Sequence, residues 1–126
     1  MTFARRVFRG AGIYGLLLVA PMFFLEPRMN ADFPPPITHP EYYYGFVGTV
    51  VAFQVVFLVI SSDPVRYRAL MIPSILEKAF YAVGVPILYL GHRTPGTVLF
   101  FSQIDLVLGI LFAVSYLKTA GAEKKS

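Results

Sequence analysis

Four apolar runs, residues 7–25, 43–62, 70–90 and 97–117, take up most of this chain, and short polar connectors separate them. Each is close to the ~20 helical residues needed to cross a hydrocarbon core of ~30 Å. Lipid offers no partner to a bare backbone, so only helices or closed barrels cross it, and continuous apolar runs of this length mean helices. The expected fold class is therefore all-α, an integral membrane four-helix bundle, with the whole chain as a single transmembrane domain. Composition agrees: hydrophobic residues make up 56% and charged residues 14%, far from the roughly half apolar and one quarter charged of soluble domains. A water-soluble domain this small would need more polar surface to cover its core. The first run, preceded by Arg5 and Arg6, has the outline of a signal peptide but reads as a retained first span.

Local signals mark the boundaries. Thr38-His39-Pro40-Glu41 has the form of a capping box with proline in the first turn, opening the second helix. Asp63-Pro64 and Thr94-Pro95 place a capping side chain and an early proline ahead of the third and fourth. The connector PRMNADFPPPITHPE reads as a structured proline-rich loop, and Tyr42, Tyr43 and Tyr44 after it stand where an interfacial aromatic belt belongs. Arg5, Arg6, Arg9, Arg66, Arg68, Lys118, Lys124 and Lys125 fall on one side of the four spans, Arg28 and Arg93 on the other. That asymmetry puts both termini in the cytoplasm and the protein in the cell (inner) membrane as a multi-pass chain.

Several function classes drop out at once. There is no cysteine, which removes disulfides, thiolate catalysis and sulfur-ligated metals. His39 and His92 are the only histidines and both fall in connectors, too few for an imidazole cage, so they read as loop residues and no metal or other cofactor is expected. The net charge of +4 is explained by topology, and no nucleic-acid partner follows from it.

What remains is a set of polar residues inside the spans. A charge at mid-bilayer costs at least ~2.5–3.5 kcal/mol, so each needs a partner or a purpose. At 1.5 Å per residue, Asp105 lies ~12 Å, Gln54 ~16 Å and Glu77 ~20 Å below the outer face. Ser74, Glu77 and Tyr81 share a face of the third helix, and Ser102, Asp105, Gly109 and Phe112 share one of the fourth. Gly45, Gly48 and Ala52 on the second, and Gly12 and Gly15 beside Tyr14 on the first, permit close packing. A buried cluster of Gln54, Glu77, Tyr81 and Asp105, with Tyr14 and Gln103 nearby, is the expected ligand-binding site.

Glu77 admits three readings. Ser74-Ile75-Leu76-Glu77 could be a capping box that starts the helix there, though only ~16 residues would then remain to span ~20. Glu77 could be a structural ion-pair partner of Lys78, Arg66 or Arg68. Adjacent residues point ~100° apart, so Lys78 is a poor partner and is expected to snorkel to the cytoplasmic interface. Or Glu77 and Asp105 are two carboxylates of a functional pocket. Asp105 has no evident basic partner at its own depth, which leaves structural and functional roles both open to it.

The four spans, the intramembrane acids Glu77 and Asp105, and the stretch VFLVISSDPVRYRALMIPSILEKAFYAV together resemble small bacterial four-helix membrane proteins, the DoxX-like and EXPERA-like (sterol-isomerase and sigma-receptor type) bundles. The chain departs from the isomerase type in having no tryptophan and no histidine within a span, so no catalytic role carries over. The expectation is a non-catalytic bundle: an accessory or structural subunit of a larger membrane complex, or a binder of a lipid-, quinone- or sterol-like molecule, with membrane lipid or a homo-oligomer among its partners. The alternative is a small membrane enzyme that shuttles a proton across a lipophilic substrate with Glu77, Asp105 and Tyr81. Transport ranks last, since the sequence shows no inverted repeat.

Overall fold

The computed structural model describes residues 2–32 and 36–121, and all regular structure among them is helical. Helix α1 (Thr2–Val19) continues into a 3₁₀ segment, Ala20–Phe24. A short α2 (Glu26–Asp32) leads to α3 (Pro40–Ser62). A 3₁₀ turn, Arg68–Leu70, precedes α4 (Met71–Leu90), and α5 (Gly96–Lys118) closes the chain. Four of these helices, counted with their 3₁₀ extensions, are long and apolar enough to cross a membrane: Thr2–Phe24, Pro40–Ser62, Arg68–Leu90 and Gly96–Lys118. Leu17, Phe24, Phe80, Leu90 and Leu117 stand well exposed on their outer faces, a distribution that suits hydrocarbon and not water.

Boundaries differ from the sequence expectation where caps were invoked. Pro40 does open α3, but Thr38 Oγ1 pairs with His39 Nδ1 at 3.0 Å and no side chain caps the helix. Asp63 closes α3; its Oδ1 accepts from the Arg66 N–H at 3.3 Å, within a turn that delays α4 to Met71. Pro95, not Thr94, stands at the N-cap of α5. Ser74 donates to the Leu70 carbonyl at 2.8 Å inside a helix already under way, so the capping-box reading of Ser74–Glu77 fails. Helix α1 starts five residues before the expected span, because Ala4 and Phe8 bury on the same stripe as Ala11, Gly15 and Val19. Lys124 and Lys125 lie outside the described residues.

Two hydrogen bonds fix α1 against α3. Arg5 Nε donates to the Ser61 carbonyl at 3.2 Å, and Tyr43 Oη donates to the Met22 carbonyl at 2.6 Å. The start of one helix meets the end of the other at both contacts, so the pair is antiparallel. The second pair, α4 and α5, is fastened by Arg68, whose Nε and Nη2 reach the Tyr116 carbonyl at 3.0 and 2.9 Å. Both arginines satisfy carbonyls left over at a helix C-terminus, where positive charge is favoured. Lys118 Nζ lies 4.2 Å from the centroid of the Phe3 ring. Arg5, Arg68 and Lys118 thus gather at one end of the bundle.

The pairs join along α1 and α5, through three rings that are wholly buried. Phe8 stacks on Phe112 with centroids 4.2 Å apart, and Phe57 meets Phe112 edge-on at 4.9 Å. Helices α3 and α4, although consecutive, touch only lightly. Their separation leaves a groove on that side of the molecule.

Candidate functional site

Lys78 is the residue on which the polar interior is built. Ser74, Lys78, Ala82 and Val85 form the buried stripe of α4, and on α5 Gly109 lies opposite, where an added Cβ would sit 3.2 Å from Lys78 Cβ. Small neighbours and a glycine let a long side chain run inward there. Its ammonium reaches Asp105 Oδ1 at 3.2 Å and Glu77 Oε2 at 3.5 Å, and stands 5.3 Å from the centroid of the Phe57 ring. Lys78 is only 5% exposed.

This arrangement corrects two expectations. Lys78 does not snorkel to an interface; it turns into the bundle, because the glycine opposite makes room and Asp105 supplies the countercharge. Asp105, in consequence, has a cation at its own depth. The ~100° between adjacent side chains is real, and it shows in the quality of the Glu77 contact. Glu77 Oε2 is buried and close to the ammonium, yet it has no hydrogen-bond partner.

The remaining expected site residues scatter. Gln54 is buried but spends its amide on its own helix, Nε2 donating to the Val50 carbonyl at 2.9 Å. Its Oε1 has no hydrogen-bond partner and presses on Gly15 of α1, where a Cβ would collide with it. Tyr14 and Tyr81 are half-buried within the electrostatic reach of Asp105. Gln103 is exposed on the outer face of α5, where its amide makes one long hydrogen bond among the described residues, 3.4 Å to the Ser102 hydroxyl. The expected cluster therefore resolves into Lys78, Asp105 and Glu77 with two tyrosines at its edge, while Gln54 serves the α1–α3 contact and Gln103 stands apart. His39 stacks on Tyr42, at 4.9 Å between centroids, away from these charges.

Lys78 was missed as a site residue because its charge drew attention to the interface. The signal that locates it was present: it stands four positions after Ser74 and four before Ala82, a spacing that puts it on the small-residue face of α4.

Glu77 lies at the edge of this buried stripe and helps to wall the groove between α3 and α4. Phe53, Pro73, Leu76 and Phe80 supply the rest of a lining that is almost wholly apolar, around about 380 Å³. A second hollow of about 480 Å³ lies at the α4–α5 turn against Tyr89, Leu90, His92 and Thr94, remote from the charged trio. The trio holds two carboxylates against one ammonium, and the second carboxylate borders the groove. Comparison with protein-family models, curated proteins and solved structures yields no match to this chain.

Proposed function

We propose that this protein is a non-catalytic membrane bundle that binds a lipophilic small molecule in the groove between α3 and α4, with its basic end in the cytoplasm. One observation carries the reading: Glu77, held by the Lys78 ammonium only at 3.5 Å, is the polar residue in the lining of an otherwise apolar groove. Pockets for small molecules are mostly apolar with a few placed polar groups that fix orientation. A carboxylate short of a donor favours a ligand whose polar end brings one, such as a hydroxyl. This ranks a sterol-like or isoprenoid alcohol above a quinone, which offers acceptors alone.

The enzyme alternative has less support. Proton shuttling needs a carboxylate free to exchange its proton within reach of the substrate. Asp105 is engaged with Lys78 at 3.2 Å, so Glu77 and Asp105 do not form a free acid–base pair.

Native mass spectrometry of the gently solubilised chain tests the binding reading. The wild type should carry an adduct of one apolar molecule. Leu76→Trp, at an exposed position on the groove wall, should fill the space and lose it, and Glu77→Leu should weaken it. A folded wild type that flies bare, or an adduct unchanged in Leu76→Trp, overturns the proposal.

A further inference from the structure

The polar residue left out of the buried trio has a use of its own. Gln103 is exposed on α5 seven residues in from Gly96, ~10 Å along a helix that is long and apolar enough to span a membrane. A primary amide facing hydrocarbon has donors and acceptors that lipid cannot satisfy. Its bond to Ser102, at 3.4 Å, engages one of the two N–H groups weakly and leaves the carbonyl oxygen unanswered.

The residues around it form a regular seam. Phe100, Gln103, Val107, Ile110, Val114 and Leu117 follow at alternating steps of three and four, the a/d spacing of a coiled coil. The apolar members are largely bare: Phe100 is 63% exposed, Val107 56%, Ile110 55% and Leu117 71%. The seam runs ~26 Å, most of a hydrocarbon core of ~30 Å. Helix α5 is also the least covered of the four candidate spans, with 11% of its apolar window buried against 28% in each of the others.

Periodicity and exposure alone describe any lipid-facing helix. The outer stripe of α4, with Phe80, Val83 and Ile87, has both and is apolar throughout. The amide sets α5 apart, and it also selects the occupant. Its partial charges complement themselves: N–H of one copy meets C=O of another, and the reverse, across a twofold axis. A single polar residue at a seam position is also what fixes register and copy number between helices.

We infer that two copies of this chain associate through α5, with the Gln103 amides hydrogen-bonded to each other near the Phe100 end of the seam. The inference is independent of the groove between α3 and α4.

The chain has no cysteine, so single-cysteine variants of the full-length protein in lipid vesicles report the contact by oxidative cross-linking. Val107→Cys, next to Gln103 on the seam, should give a disulfide-linked dimer, and Val83→Cys, on the outer face of α4, should not. Gln103→Ala in the Val107→Cys background should weaken association roughly tenfold, read from the dilution in lipid at which cross-linking fails. Equal cross-linking at the two positions overturns the inference. So does a yield indifferent to Gln103→Ala, or a Val107→Cys chain that stays monomeric at high protein-to-lipid ratio. Gln103 is exposed, so the alanine variant should keep the wild-type helical content.

Discussion

Lys78 Nζ lies 3.2 Å from Asp105 Oδ1, bridging α4 and α5 in the interior of the bundle. An ion pair this deep is weak evidence of net stabilisation, because both charges have been stripped of solvent. Removing the cation is another matter, since Asp105 and Glu77 are then both left without it. Lys78→Met should destabilise the protein by about 3–5 kcal/mol, measured by SDS titration with helicity as the readout. The triple variant Lys78→Met/Asp105→Leu/Glu77→Leu should recover most of that loss. A triple variant as unstable as the single one would mean that the trio does more than neutralise itself.

Gly15 and Gln54 hold α1 and α3 together at close range. A Cβ on Gly15 would meet Oε1, Cδ and Cγ of Gln54, so the clash involves the body of the side chain and not only its tip. Gly15→Ala should cost about 1–3 kcal/mol, as overpacking does. Gly10 offers the contrast, since nothing lies within 4 Å of a Cβ placed there, and Gly10→Ala should be neutral or slightly stabilising. Adding Gln54→Ala to Gly15→Ala should relieve the clash, and a double-mutant cycle in the same SDS titration measures the coupling.

The four candidate spans were legible because length and apolarity are local properties, and a twenty-residue run needs no neighbour to be read. That Glu77 and Asp105 fall inside two of these helices was legible for the same reason. What the sequence could not rank was rotation. Glu77 and Lys78 are adjacent and both charged, and only the stripe of Ser74, Ala82 and Val85 against Gly109 decides that Lys78 faces inward. Gln54 and Gln103 show the same limit: equal chemistry within two apolar helices, one buried against Gly15 and the other exposed. The caps were overread because Thr38 bonds to its neighbour His39 instead of to the helix backbone. An apolar face in lipid is also less distinctive than one in water. The buried residues of α3 (Val47, Gln54, Phe57, Ile60 and Ser61) and of α5 (Ser102, Phe112 and Ser115) lie scattered among equally apolar positions.

Phe112 is the ring that both Phe8 and Phe57 touch, at 4.2 and 4.9 Å between centroids. Its removal opens a cavity where α1, α3 and α5 meet. Phe112→Ala should cost about 3–5 kcal/mol, and Phe112→Leu, which keeps most of the volume, clearly less. Phe100→Ala, on the exposed face of the same helix, should leave the unfolding midpoint of the monomeric protein in detergent nearly unchanged. Equal losses at Phe112 and Phe100 would refute this placing of the core.

Arg68 secures the far end of α5. Two of its N–H groups converge on the Tyr116 carbonyl at 3.0 and 2.9 Å, Nε also lies 3.1 Å from Thr119 Oγ1, and the guanidinium carbon stands 3.6 Å from the centroid of the Tyr116 ring. A planar fork that bonds and stacks at once is not reproduced by an ammonium. Arg68→Ala should cost about 1–3 kcal/mol, the range for hydrogen bonds to a charged group. Arg68→Lys, although it keeps the charge, should restore less than half of that. The loss should be local, so amide exchange should accelerate in the last turn of α5 well before it does around Phe112. If lysine restores full protection, charge at the helix C-terminus suffices and the fork is incidental.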